Sequence, residues 1–249
     1  MNKKSIINSI FDNIKTIIGA LIIAIIIRSF IFQPFYIPSS SMEPGLLVGD
    51  RLFVSKYTYG YSRHSLPFSP KIYDKRIFEK KPIRGDVIVF KTPADNRTDY
   101  IKRLIGLPGD EIQIINENLY LNGIKIKKKK IKKKSNIYCG NEVLESELYE
   151  ETLPNGKKYV AAYRKKGSMI NTDLFVVPIN HYFFMGDNRD CSKDSRFLSS
   201  VGYVNFNNLV GKARFIFFSN DKKAGSFFHF WKWRESIRFD RFFKKILWR

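Results

Sequence analysis

The chain is poor in the side chains that most often announce chemistry. Its 249 residues hold two cysteines, Cys139 and Cys191, and three histidines, His64, His181 and His229. Two thiols do not make a disulfide framework, and zinc, which wants four ligands, finds no spaced set here, so cysteine does not reveal the redox compartment. The histidines also argue against a Ser-His-Asp triad: His64 lies in the polar loop YSRHSLP, His181 at a strand entry and His229 in a basic tail. Acids are scarce as well, with 23 Asp and Glu against 44 Lys and Arg and a formal charge of +21. An anionic partner, nucleic acid or a membrane surface, therefore has to be considered. The excess is local. Eight of the ten residues from Lys125 to Lys134 are lysine, and Lys222 to Arg249 carries nine basic residues against two acids. Apolar residues are not lacking: at 44% they exclude a disordered chain and support one or two domains with a core.

The N-terminus decides the compartment. Thr16 to Ile27 reads TIIGALIIAIII without a charge, followed by Arg28, SFIF and the Gln33-Pro34 break. A helix from Lys15 to Phe32 would be about 27 Å long, close to the hydrocarbon thickness of a bilayer, with Arg28 near one end able to snorkel to the headgroups. A cleavable signal peptide is disfavoured because no small-x-small site follows, and a buried soluble helix because the run is apolar all round. Lys3, Lys4 and Lys15 precede the span, so the positive-inside bias puts the N-terminus in the cytoplasm and the rest of the chain outside.

Beyond the anchor the pattern is that of short strands. DRLFVSKY, DVIVFK, DYIKRLIGL, EIQIINENLYLNGIKI, KKYVAAYR, HYFFMGD and GKARFIFF are β-branched and aromatic runs separated by PG, NG, RGD and GDN turns. No long amphipathic helix interrupts them before Asn220, which gives a mainly β, mostly antiparallel fold. The segment 107–180 contains the lysine run and the acidic stretch EVLESELYEE, Glu142 to Glu151. These runs either face each other across a hairpin or are separate solvated faces, and the second reading is favoured.

Three segments carry candidate chemistry. IPSSSMEPGLLVGD places three serines between the anchor and a strand, although an unassisted hydroxyl is a poor nucleophile. DYIKRLIGLPGDE sets Lys102 on a strand face with Tyr100 and Leu104. Most strand lysines point to water, but one held over apolar surface loses solvation and becomes able to accept a proton. HYFFMGDNRDCSKDSR gathers Asp187, Arg189, Asp190, Asp194 and Arg196 around Ser192, where paired ions can clamp a loop.

In this order PSSSMEPGLLVGD, RGDVIVFK with DYIKRLIGLPGD, and GDNRDCSKDSR resemble the sequence boxes of bacterial type I signal peptidases, membrane proteases of the Ser-Lys type. The resemblance covers the anchor and residues 35–57, 84–114 and 177–217. It implies coiled antiparallel sheets behind one transmembrane helix, Ser41 as nucleophile and Lys102 as general base. It further implies Ser39 as an oxyanion donor beside the Ser41 backbone N–H, Ser192 as a group that hydrogen-bonds and orients the lysine, and Asp187, Arg189, Asp194 and Arg196 as supports of the Ser192 loop. Phe35, Ile37, Met42, Leu46, Tyr100 and Ile101 match positions that line the family's pockets for small residues, with Asp99 beside them. Gly45, Ser40 and Cys191 depart from the usual residues without removing a catalytic atom. The implied partners are signal peptides of secreted preproteins, with no metal or organic cofactor.

The organisation expected is therefore a cytoplasmic N-terminus (1–14), an anchor (15–33), a catalytic β domain (34–106 and 181–220), an inserted variable β subdomain (107–180) and a basic aromatic tail (221–249). In the tail Phe239, Phe242, Phe243 and Ile246 fall on one side at helical spacing, and Arg238, Arg241 and Lys245 on the other, flanked by Trp231, Trp233 and Trp248. That is the pattern of an interfacial helix on anionic lipid, or else of a stripe packed on the β domain. Two other readings are a self-cleaving Ser-Lys repressor, which would need a DNA-binding domain, and a membrane-tethered polyanion binder without catalysis. No sequence-specific nucleic-acid binding is expected.

Overall fold

The computed structural model describes residues 3–72, 75–131, 134–140, 142–164, 169–221 and 233–246. Helix α1 runs from Lys3 to Ile26 and continues as a π-helical turn, Ile27–Ile31. Its stretch Ser9–Ile31, 23 residues, is long and apolar enough to cross a membrane, and almost all of it but Ser29 is exposed. This stretch overlaps the anchor expected over 15–33 and starts six residues before it. The helix begins twelve residues before Lys15, which pairs with Asp12 one turn back, while Phe32 already belongs to strand β1, Phe32–Tyr36. Pro34 cannot continue a helix, and the chain turns directly into the sheet.

Among the described residues fifteen strands follow one another with no long helix between them. Beside β1, the main sheet comprises β2 (Asp50–Ser55), β3 (Val87–Lys91), β4 (Asp99–Gly106), β13 (His181–Met185), β14 (Val204–Asn205) and β15 (Leu209–Ser219), in the order β1-β2-β15-β3-β4-β13-β14. Every pairing in it is antiparallel, and irregular register along β15 and β13 bends the sheet. Ile37, Met42, Leu46, Leu52, Val54 and Val89 pack on one face and Ile88, Phe90, Leu104 and Phe184 on the other. β3 is accordingly buried almost throughout, which matches its uninterrupted apolar run.

β4 and β13 are neighbours, and the described strands between them in sequence form two smaller sheets. One contains β5 (Glu111–Ile115), β6 (Asn118–Leu121), β7 (Ile124–Lys125) and β12 (Phe175–Val176). The other contains β8 (Lys127–Lys130), β9 (Ser135–Cys139), β10 (Glu142–Thr152) and β11 (Lys158–Arg164). Ile105, Ile112, Leu119, Phe175, Phe183 and Met185 share one core and join this region to the main sheet.

One favoured reading is overturned here, and two questions that the sequence left open are answered. The lysine and acidic runs are not separate solvated faces: β8 pairs antiparallel with β10, setting Lys128 opposite Glu151 and Lys129 opposite Glu150. Lys130 bonds Glu147 at 2.6 Å and Lys134 bonds Glu145 at 2.8 Å, because opposite charges on adjacent strands remove the repulsion each run would suffer alone. Cys139 and Cys191, which no framework suggested, form a disulfide across 52 residues of sequence. The tail is not an interfacial helix over its described part. A single α-turn, α2 (Trp233–Ser236), and a 3-10 turn, Phe239–Arg241, lie on the β domain, and Lys245 bridges to Phe215. The physical reason is buried Asp50, which Arg241 neutralises with bonds of 2.8 and 2.5 Å; a regular helix would carry that guanidinium elsewhere. Trp231 and Trp248 lie outside the described residues.

Candidate active site

Ser41 sits in a 3-10 turn, Ser40–Met42, that follows directly from β1. The turn is fixed from two sides. Below it, Met42 and Leu46 are almost wholly buried among the core residues. Beside it, Asn188 donates its backbone N–H to the Ser41 carbonyl and its side-chain amide to the Ser40 carbonyl, each at 3.1 Å. Further along the same loop Arg241 donates to the Gly45 carbonyl and Arg238 to that of Val48. The hydroxyl of Ser41 therefore projects from a rigid mount.

Lys102, in the middle of β4, reaches it. Its Nζ bonds Ser41 Oγ at 2.6 Å and the Ile101 carbonyl at 3.1 Å, and stands 5.4 Å from the centre of the Tyr100 ring. The residue is 3% exposed. Burial lowers its pKa to about 8, while Asp194 and Asp187 resist the shift and Arg196 adds to it. Ser39, partly open to solvent, places its hydroxyl 3.2 Å from that of Ser41.

Ser192 is buried against Gly186, where an added Cβ would fall 2.1 Å from Ser192 Oγ and 2.5 Å from the Ser41 carbonyl. Only a glycine lets the two loops touch this closely. The hydrogen bond expected between Ser192 and Lys102 is not formed; the buried Ser192 hydroxyl lies instead beside the Asp194 carboxylate, whose pKa it helps to lower.

Of the six charged residues of that loop, Asp187, Arg189, Asp194 and Arg196 are buried, and each of these four is paired. Asp194 and Arg196 form a two-point pair, 2.8 Å at both contacts, and Gly186 N–H adds a third bond to Asp194. Burial alone would raise the Asp194 pKa, but the guanidinium and that N–H hold it below the usual carboxylate range. Asp187 is held by Arg103 at 2.7 and 2.6 Å. Arg189 is held by Glu151 at 2.9 and 2.6 Å, with Tyr159 and Tyr163 also donating to that carboxylate. Asn188, Arg103, Glu151 and the Asp50–Arg241 pair escaped the sequence reading. The signal for Arg103 was its place beside Lys102; Glu151 was hidden inside an acidic run.

A cleft of about 550 Å³ opens beside Ser41 and Lys102, lined by Phe35, Ile37, Val89, Asp99, Tyr100 and Ile101 among others. Met42 and Leu46, expected in its wall, belong instead to the core beneath it. Cys191 borders the cleft, so the disulfide ties β9 to its rim. Among the described residues no group of three or more His, Cys, Asp or Glu side chains is arranged to hold a metal ion.

The family model for signal peptidase, peptidase S26, matches residues 10–218. The chain belongs to the signal peptidase family. As an S26 peptidase it is a hydrolase, and its relatives agree. It is 42% identical to a signal peptidase I from Rickettsia bellii (strain OSU 85-389), over 93% of this chain and 84% of the relative. It is 41% identical to one from Rickettsia typhi, over 90% and 89%. A solved signal peptidase I from Enterococcus faecalis V583 is 28% identical over 53% of this chain and 97% of its own, with a TM-score of 0.31.

Proposed function

We propose that the chain is a membrane-anchored serine endopeptidase that removes N-terminal signal peptides from exported preproteins, with Ser41 as nucleophile and Lys102 as general base. The observation that carries this reading is the 2.6 Å contact between the Ser41 hydroxyl and a lysine amine buried enough for its neutral form to be accessible near neutral pH. The neutral amine takes the Ser41 proton as Oγ attacks the scissile carbonyl, then returns it to the leaving amine, and water releases the acyl group by the same relay. Ser39 and the Ser41 backbone N–H stabilise the charge that develops on the carbonyl oxygen. Ser192, next to Gly186, steers the lysine once substrate excludes water. The apolar walls contributed by Phe35, Ile37, Tyr100 and Ile101 suit small side chains at the first and third residues before the cut.

On this reading α1 spans the cytoplasmic membrane with Lys3 and Lys4 inside and the β domain outside, against anionic lipid. A polyanion-binding role for the lysine run is weakened by its pairing with β10. The test is cleavage of a preprotein in detergent by the full chain: wild type releases a mature product after small residues, Ser41→Ala releases none, and cleavage after Leu or Phe at comparable rate overturns the pocket assignment.

A further inference from the structure

A second cavity, about 690 Å³, lies on the other side of Asp99 from the cleft and is used by nothing above. It is lined by Arg28, Arg63, Lys71, Lys91 and Arg97, with Asp95 and Asp99 as its only acids. Those acids are already engaged. Lys91 pairs with Asp99 at 2.9 Å, and Asp95 accepts the backbone N–H groups of Arg97 and Thr98 and the Thr98 hydroxyl. Among the described residues Arg28, Arg63, Lys71 and Arg97 have no carboxylate partner, and the described lining carries five cations against two carboxylates. His64 in its wall reports the same field: burial and then Arg63 and Lys91 lower its pKa to about 4.

The position says what kind of anion belongs there. Arg28 lies in the π-turn that ends the membrane span, hence at the bilayer surface. The segment formed by residues 57–72 and 75–78 is fastened to the same point: the Tyr61 hydroxyl donates to the Phe30 carbonyl at 3.1 Å, and the two rings meet edge-on at 5.4 Å. This segment is fringed by apolar side chains open to water. Phe68 is completely exposed and Phe78 is 80% exposed. Such residues beside a membrane anchor are suited to the acyl boundary, with basic groups just above at phosphate level. The cavity is several times larger than a phosphate ion, and a signal peptide's own basic N-terminal region would be repelled by it.

We propose that this pocket binds the headgroup phosphate of an anionic phospholipid, with Arg63 and Arg97 as its ligands and Phe68 inserted beside the acyl chains. The inference rests on the membrane attachment argued above but not on the catalytic roles. It is tested by native mass spectrometry of the full chain in detergent, titrated with phosphatidylglycerol or phosphatidylcholine, while preprotein cleavage is followed in parallel. Wild type is expected to retain phosphatidylglycerol about tenfold more tightly than phosphatidylcholine, and Arg63→Gln with Arg97→Gln to erase that preference. Lys129→Gln with Lys130→Gln, which removes the same charge elsewhere, should keep it, and so should Arg63→Lys with Arg97→Lys, which guards against misfolding. Equal retention of the two lipids by wild type overturns the proposal. So does an unchanged preference in the double glutamine variant, or displacement of the lipid by equimolar inorganic phosphate, which would mark a site for free anions. Loss of cleavage in wild type would count against the catalytic reading alone.

Discussion

Lys56 and Lys102 are the two most deeply buried lysines among the described residues, and of the pair Lys102 faces a hydroxyl. Lys102 and Lys56 are 3% and 1% exposed, and burial lowers both pKa values, to about 8 and about 7. Lys102 meets Ser41 Oγ at 2.6 Å; Lys56 donates to the His64 carbonyl at 3.1 Å, a group with no proton to give. A depressed pKa therefore makes an amine available as a base, but geometry decides whether it is one.

The sharpest way to break this comparison is mutation. Ser41→Ala, Lys102→Ala and Lys102→Arg should each lower kcat/KM by about 10⁴-fold or more, the arginine because a guanidinium stays protonated. Lys56→Met should change it by less than about threefold. A large loss on Lys56→Met, or an active Lys102→Arg, would show that the two lysines have been assigned the wrong way round. Next in size, Ser39→Ala and Ser192→Ala should lower kcat by about 10- to 1000-fold with little change in KM; wild-type turnover in Ser39→Ala would return the oxyanion role to backbone groups alone.

The pH dependence sharpens the contrast. Below pH 8 kcat/KM should fall about tenfold per unit, as Lys102 holds its proton, and level off above it. Lys56→Met should leave that profile in place; a profile that moves with Lys56 would assign the titration to the wrong amine.

Stability carries the opposite sign. Both lysines titrate below the unfolded value of 10.5, so the unfolded state binds more protons between the two values. The cost to folding is complete below the folded pKa and fades as pH rises toward 10.5. Lys102→Met should thus raise stability by about 3 kcal/mol at pH 6 while abolishing activity, and the gain should vanish near pH 10. Urea denaturation at the two pH values measures it, and a gain independent of pH would mean that packing, not charge burial, set the difference.

The legibility of the sequence followed the distance between partners. Ser39, Ser41 and the residues around Ser192 stand in contiguous boxes, and the strands of the main sheet carry their own apolar pattern, so both could be read along the chain. The supports could not: Arg103 finds Asp187 84 residues away, and Asp50 finds Arg241 191 residues away. The tail's helical spacing was real, yet a buried carboxylate outweighed it. Met42 and Leu46 stand close to the nucleophile in sequence, but the 3-10 turn at Ser40–Met42 and the loop after it send them into the core while Ser41 faces the cleft.

The bond between Cys139 and Cys191 gives the molecule a history. Thiols stay reduced in most cytosols and pair outside them. On the proposed topology a newly made β domain crosses the membrane with this link open, and the loop bearing Ser192 is joined to β9 only after arrival. Closing a loop of this length removes chain entropy from the unfolded state, worth about 4 kcal/mol. The enzyme is thereby at its most resistant to unfolding on the side where its substrates emerge, and at its least while still among the preproteins waiting to be exported.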